Sequence, residues 1–222
     1  MMNKKTKIAY VDLGLHKRAP EIEMFRGICE SLGFDYSIYG IEADPEYIPG
    51  LKERYKDDPK IQILNYAIGD REGFCELYRS AAFDGEGSSI YKTKNNVKTE
   101  NFARVPMVRL SHLLPSFNLG DFAVLKWNIE GAELLMVQDL IKTKTAERFD
   151  LFCGATPDIH KVSEIADQQE GHVELMNSAG ISPFLFHNHY NPEKVQQMKT
   201  RMAQELRLLT FNHNASKHKE PR

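Results

Sequence analysis

At 222 residues with 41% hydrophobic content, the chain can bury one sizeable core, and it shows no linker that would mark a second domain. Lysine and arginine total 29 against 31 aspartate and glutamate, a net charge of −2 that provides no global basic field for nucleic acid. Three widely separated cysteines, Cys29, Cys75 and Cys153, argue against a disulfide framework or a zinc knuckle, and no apolar run approaches the roughly 20 residues needed to cross a bilayer.

Residues 7–12 form a short run of strand formers ending at Asp12 and Gly14; Pro20 then opens a helical pattern with Ile22, Phe25, Ile28, Cys29 and Leu32 on one face, stopped by Gly33. The basic segment before this strand is too brief for a signal-peptide core, so a soluble, cytoplasmic protein without a membrane partner is expected. A second strand is read over 36–42, a helix from Asp44-Pro45 carrying Tyr47, Ile48, Leu51 and Tyr55, and a third strand over 61–66. This strand–helix alternation is the mark of a parallel, doubly wound α/β sheet. Residues 74–78 alternate like an exposed strand, Asp84 to Ser89 form a polar, glycine-rich loop, and 92–104 read as mobile. Val105 to Val108 is a further short strand, followed by a helical turn from Ser111 to Leu114.

Phe122 to Trp127 is the next parallel strand, with a helix from Glu133 to Ile141, and Asp150 to Cys153 is a fifth. Residues 158–179 read as one helix, Ser182 to His187 as a strand, and 192–204 as an amphipathic helix whose stripe of Val195, Met198, Met202 and Leu206 is expected to pack into the core. Leu206 to Phe211 either continues that helix or forms a last antiparallel strand, the strand being preferred. The expected organisation is one domain over 1–211 with a disordered basic tail over 212–222.

Four places carry candidate chemistry. Gly14 lets the turn after the first strand pass close to a ligand, and Asp12 beside it can accept hydrogen bonds. Glu42, ending the second strand, offers two acceptor oxygens suited to a ribose; Asp44 precedes Pro45 and reads as a helix cap. Asn65 to Asp70 is small and apolar enough at Ala67 and Ile68 to flank a ring, with Asp70 polar enough to meet its edge. Lys126-Trp127-Asn128-Ile129-Glu130-Gly131-Ala132-Glu133 breaks a buried strand into a polar corner, and Glu130 there either faces the ligand crevice or caps the following helix. No G-x-G-x-x-G is present, which counts against a nicotinamide-dependent oxidoreductase. His187 and His189 fall on one side of an extended chain, but without a neighbouring cysteine or carboxylate motif no metal is expected.

Asp12-Leu13-Gly14, Ile41 to Pro45, Asn65 to Asp70, Ser88-Ser89 in the glycine-rich loop, Val108 to Leu110, and Lys126 to Glu133 follow one another in the order and approximate spacing of the FkbM-type methyltransferases, which the chain resembles over about residues 7–155. The resemblance implies a Rossmann-like, mostly parallel seven-stranded sheet with a final antiparallel strand, S-adenosylmethionine as cofactor, and O-methylation of a sugar or other small hydroxylated metabolite. By matching position, Asp12 and Gly14 are expected on the methionine side, Glu42 with neighbouring Asp44 at the ribose, Ala67, Ile68 and Asp70 around the adenine, and Ser88 and Ser89 near the pocket. Glu130 is expected to orient or deprotonate the acceptor, with Asn128 and His16 as hydrogen-bonding neighbours and Lys126 supporting the corner. Loops 79–104 and 184–192 are expected to build much of the acceptor pocket. The family's first loop usually runs D-x-G-A-N-x-G, where this chain places His16 and Arg18, and Asn128 replaces the usual aspartate. These positions leave open the alternative of a methyltransferase-shaped binding module without catalysis.

Overall fold

The computed structural model describes residues 5–81, 86–155, 157–185 and 192–217. The elements follow in the order β1 Lys7–Leu13, α1 Pro20–Leu32, β2 Asp35–Glu42, α2 Ile48–Tyr55, β3 Ile61–Asn65, β4 Ala67–Ile68, β5 Gly73–Ser80, β6 Val97–Val108, α3 Leu110–Leu113, β7 Phe122–Trp127, α4 Glu133–Lys142, β8 Leu151–Gly154, α5 Gln169–Ser178, β9 Phe184–Leu185 and α6 Pro192–Lys217. Six strands form one sheet in the order β3-β2-β1-β7-β8-β9, and every neighbouring pair is parallel.

The central strands β1 and β7 are apolar along most of their length because both of their faces are covered, with Asp12 and Lys126 paired at their ends. Ile8 and Tyr10 of β1 face a layer made by α1, α2 and α6, with Tyr10 stacked on Phe25 at 4.3 Å; Ala9, Val11 and Leu13 face α3, α4 and α5. The chain leaves β1 toward β2 on one side and returns through β7 on the other. The carboxyl ends of β1 and β7 therefore diverge, and this switch point opens a crevice. Beside it stands a second sheet, β4-β6-β5, in which β6 pairs parallel with β4 and antiparallel with β5.

The doubly wound α/β reading holds, with corrections in detail. The sheet has six described strands, and the expected final antiparallel strand is absent from them: residues 206–211 belong to α6. The reason lies in the apolar stripe, since Met198, Met202 and Leu206 recur every four residues and all three are buried against α1's layer, a period that keeps the chain helical. α6 runs to Lys217, into the segment expected to be tail. Residues 97–104, read as mobile, form most of the long strand β6; its outer half is exposed on both faces, so no hydrophobic alternation betrayed it. The single helix read over 158–179 is two short 3₁₀ turns and then α5, because Val162 is drawn into a backbone bridge with Lys94. α2 begins at Ile48 rather than at Asp44. Among the described residues no helix is long and apolar enough to cross a membrane.

Candidate functional site

A cavity of about 290 Å³ lies at the carboxyl ends of β1, β2 and β7, roofed by residues 86–90 and flanked by β4. That volume is at the small end of the range for small-molecule sites, about 300–1,000 Å³. Of the residues singled out in the sequence, Gly14, His16, Glu42, Asp44, Ala67, Ile68, Ser88, Ser89, Asn128 and Glu130 line it together, whereas Asp12 and Asp70 do not.

The floor is built by backbone. Gly14 has φ +80°, its N–H donates to the Ile41 carbonyl at 2.9 Å, and a Cβ there would stand 2.0 Å from the Asn128 carbonyl oxygen. Only glycine allows β1 to turn while the β7 corner passes this close. Asn128 N–H donates to the Leu13 carbonyl at 2.9 Å, which locks the two strand ends side by side. Glu42 then ties the first loop to β2: its Oε2 accepts the His16 N–H and its Oε1 the Asp44 N–H, each at 2.7 Å. Burial raises the Glu42 pKa, opposed by those two hydrogen bonds. Each oxygen retains a second acceptor position. The His16 ring lies edge-on to Tyr47 with Nδ1 3.8 Å from Glu86.

Asp44 is not the cap of α2. Its Oδ1 accepts the Glu46 N–H, and its carboxylate is gripped by both arms of Arg79 at 3.0 Å, so it fastens the loop to β5. Asp12 sits wholly buried beneath the floor, 2.7 Å from the Lys126 ammonium, which also donates to the Gly14 carbonyl at 3.1 Å. Burial lifts Asp12 to about 7 against the pull of Lys126. Asp12 thus lies under the loop and not on the cavity wall. Asp70 is exposed, pairs with Arg71 at 3.0 Å and stands outside the cavity. Arg18 is exposed at the rim, and its carbonyl accepts a hydrogen bond from Arg54 at 2.7 Å.

The β7 corner carries the cavity's buried ionisable cluster. Glu130 has φ +58°, a conformation off the helical path, and α4 has no side-chain cap; the Glu133 carboxylate instead accepts the corner's N–H groups, those of Ile129 and Gly131 at 3.1 and 2.6 Å. Glu130 is thereby released to point at Lys94 Nζ, 2.7 Å away. Lys94 is almost fully buried and also touches the Gly87 carbonyl at 3.1 Å, Asn96 Oδ1 at 2.8 Å and Asp158 at 3.3 Å. Glu130 and Asp158 thus face the same ammonium. Burial, then the neighbouring Asp158 carboxyl, push Glu130 up to about 7 against the Lys94 charge. Burial also acts to raise Asp158, but its polar neighbours Glu130 and Lys161 and the charge of Lys94 outweigh it, and its pKa is lowered. Ser89 joins loop to corner by donating its hydroxyl to the Glu130 carbonyl at 2.7 Å, while the Ser88 hydroxyl accepts the Ser80 N–H at 3.1 Å.

Lys94 and Asp158 were not found by sequence reasoning. Asp158 follows the end of β8, so the rule that flagged Glu130 also applies to it; Lys94, inside a polar stretch, gives no signal. Among the described residues no group of three or more His, Cys, Asp or Glu forms a metal site, and His187 and His189 lie outside them. Of the two loops expected to build the acceptor pocket, the first contributes residues 86–90, and no described residue of 184–192 lines the cavity.

Residues 14–205 match the family model of the methyltransferase FkbM domain. Among solved structures, the chain is similar to a methyltransferase FkbM from Methylobacillus flagellatus KT, with 12% identity, a TM-score of 0.47 and coverage of 79% of this chain. The chain spans 39% of that protein's length. No curated protein matches the chain.

Proposed function

The chain belongs to the FkbM methyltransferase family, and from that premise we propose that it uses S-adenosylmethionine to methylate a hydroxyl on a sugar or other small metabolite. The observation that carries this reading is one continuous cavity joining Gly14 and Glu42 at its floor to Glu130 at the β7 corner.

The lining fits such a cofactor on three grounds. Glu21, Glu42, Asp44, Glu86 and Glu130 line the cavity, Asp44 paired with Arg79 and Glu130 with Lys94, and these carboxylates outnumber the one lining arginine, Arg18, which suits a ligand bearing sulfonium and ammonium charges. A dinucleotide diphosphate is disfavoured by the same charge, and α1 begins with Pro20, which has no N–H to offer a phosphate. Ala67, Ile68, Leu77 and Ile90 supply an apolar wall suited to adenine. Glu42 has acceptor capacity left for ribose hydroxyls, and Gly14 admits a close backbone approach. The bound cofactor supplies an electrophilic methyl group.

Holding the acceptor oxygen in line gives much of the rate, and Glu130 takes the hydroxyl proton, with Asn128 and His16 orienting the acceptor. Asn128 itself cannot act as a base. We place the protein in the cytoplasm, acting on a small molecule and not on nucleic acid or a membrane.

Calorimetric and thermal-shift titration with S-adenosylmethionine and S-adenosylhomocysteine tests the reading. Ligand at a hundred times its Kd should stabilise the fold by about 2.7 kcal/mol. No response to either ligand overturns it and leaves a binding module. A response followed by methyl transfer to members of a panel of hydroxylated sugars completes it.

A further inference from the structure

Three segments converge behind Glu130. The corner 128–133, the loop around Lys94 and the segment after β8 are joined by a backbone bridge between Lys94 and Val162 and by the Asn95 N–H donating to the Lys161 carbonyl at 3.0 Å. At Gly131 a Cβ would meet Val162 at 3.0 Å and Tyr91 at 3.4 Å, so the corner is wedged against both neighbours. The outcome is one ammonium held between two carboxylates, with Lys94 at 2.7 Å from Glu130 and 3.3 Å from Asp158. Two carboxylates sharing one ammonium leave a negative charge uncompensated in a buried place, and that gives the group an affinity for a proton.

Resting on the hydroxyl-methylation reading, we propose that Asp158 and Lys94 are positioning residues that make Glu130 a proton store for the reaction. Before transfer, Glu130 and Asp158 are both ionised around Lys94, a group of net charge −1. As the acceptor oxygen bonds to the methyl carbon and the sulfur–carbon bond breaks, the hydroxyl proton passes to Glu130. Glu130 then donates it in a hydrogen bond to Asp158, the group becomes neutral, and the sulfur leaves as an uncharged thioether. Lys94 fixes the direction of both carboxylates and, through the Gly87 carbonyl, ties the cavity roof to the same group.

The other charges near this group are accounted for. Lys161 holds the far side of Asp158 at 2.8 Å, the Glu133 carboxylate is committed to the corner's N–H groups, and Glu86 sits with His16 across the cavity. Tyr91, half-buried and pushed up to about 12 by burial, adds no charge at neutral pH.

Carbon-detected NMR of the full chain with carboxyl-labelled glutamate and aspartate, without cofactor, reads the proton directly. The Glu130 resonance is identified by its loss in Glu130→Gln. In Asp158→Asn, which removes a negative neighbour and hydrogen-bond acceptor, its titration midpoint should fall by about one pH unit or more; in Lys94→Met it should rise by a similar amount. Asp158→Glu should restore most of the original midpoint. Should Lys94→Met fail to fold, Lys94→Arg must leave the midpoint near its original value. In turnover, the acidic limb of the kcat profile should move with the midpoint while KM stays within a few-fold. A midpoint unmoved in folded Asp158→Asn overturns the proposal, as does a midpoint that moves without the acidic limb. Failure of the methyltransferase reading is separately visible, because it removes cofactor binding from the unsubstituted protein whatever the carboxyl midpoint does.

Discussion

Two buried lysine–carboxylate groups flank the floor of one cavity, and they differ in what they can reach. Asp12 and Lys126 are sealed, at 0% and 1% exposure, with Lys126 spending its remaining donors on the carbonyls of Leu13 and Gly14. Glu130 shares Lys94 with Asp158, and its side chain keeps 20% exposure on the cavity wall. Both carboxyls are pushed by burial to about 7. A perturbed proton affinity therefore reports burial in both places, and access to the cavity separates the group that can do chemistry from the one that supports the floor.

The largest expected effect falls on the open group. Glu130→Gln keeps size and polarity but cannot take a proton, so kcat for methylation of a hydroxyl should drop by about 10²–10⁴, with little change in the melting temperature. Steady-state rates and thermal unfolding of the same preparation check both halves. A fully active Glu130→Gln protein would erase the functional side of the comparison.

The sealed group should answer the opposite way, through stability. Lys126→Met leaves Asp12 buried without its counter-ion, and breaking a buried pair from one side costs about 3–5 kcal/mol. Urea unfolding near pH 8, where Asp12 is ionised in the native protein, should show that loss. The double variant Asp12→Asn with Lys126→Met should recover part of it, since no uncompensated charge remains. An unchanged midpoint in the single variant would mean that the pair contributes nothing and that the floor is held by Gly14 and Asn128 alone.

The same contrast shows where the sequence was legible. The apolar runs of β1, β2, β3 and β7, and the polar residues ending them, were readable because burial on both sheet faces writes itself as uninterrupted hydrophobicity. Strand-end rules thus placed Gly14, Glu42 and Glu130 in one crevice. The partners were not readable in the same way. Lys94 lies 36 residues from Glu130 in a stretch whose polarity resembles any solvated loop, and the pairing of β5 with β6 together with the bridge to Val162 delivers it to the corner. The place of Asp12 is not legible, because a carboxylate after a strand looks the same whether it faces a cavity or a buried lysine; its partner Lys126 stands at the matching register position of β7. Leu206 was assigned to a strand although the four-residue stripe from Met198 already carried it into the helix.

The smallest expected effect, in the pH dependence of stability, bears on both groups at once. An unfolded aspartate titrates near 3.9 and a glutamate near 4.3, whereas Asp12 and Glu130 in the fold titrate at about 7. Between those limits the folded protein binds more protons than the unfolded chain, so stability falls as pH rises. For each group the stabilising contribution is complete below the unfolded value, at about pH 4, and is lost by the time pH passes the folded value near 7. Asp158, whose pKa is lowered, changes its contribution only below about pH 4, outside this window. Melting temperature measured across this range should therefore decline in the unsubstituted protein. Asp12→Asn and Glu130→Gln should each flatten the decline. Added salt should weaken only the Glu130 contribution, since the cavity admits ions and the sealed floor does not. A decline left unchanged by both substitutions would show both carboxyls ionising at ordinary values. Access to the cavity would then be the sole difference between the two groups.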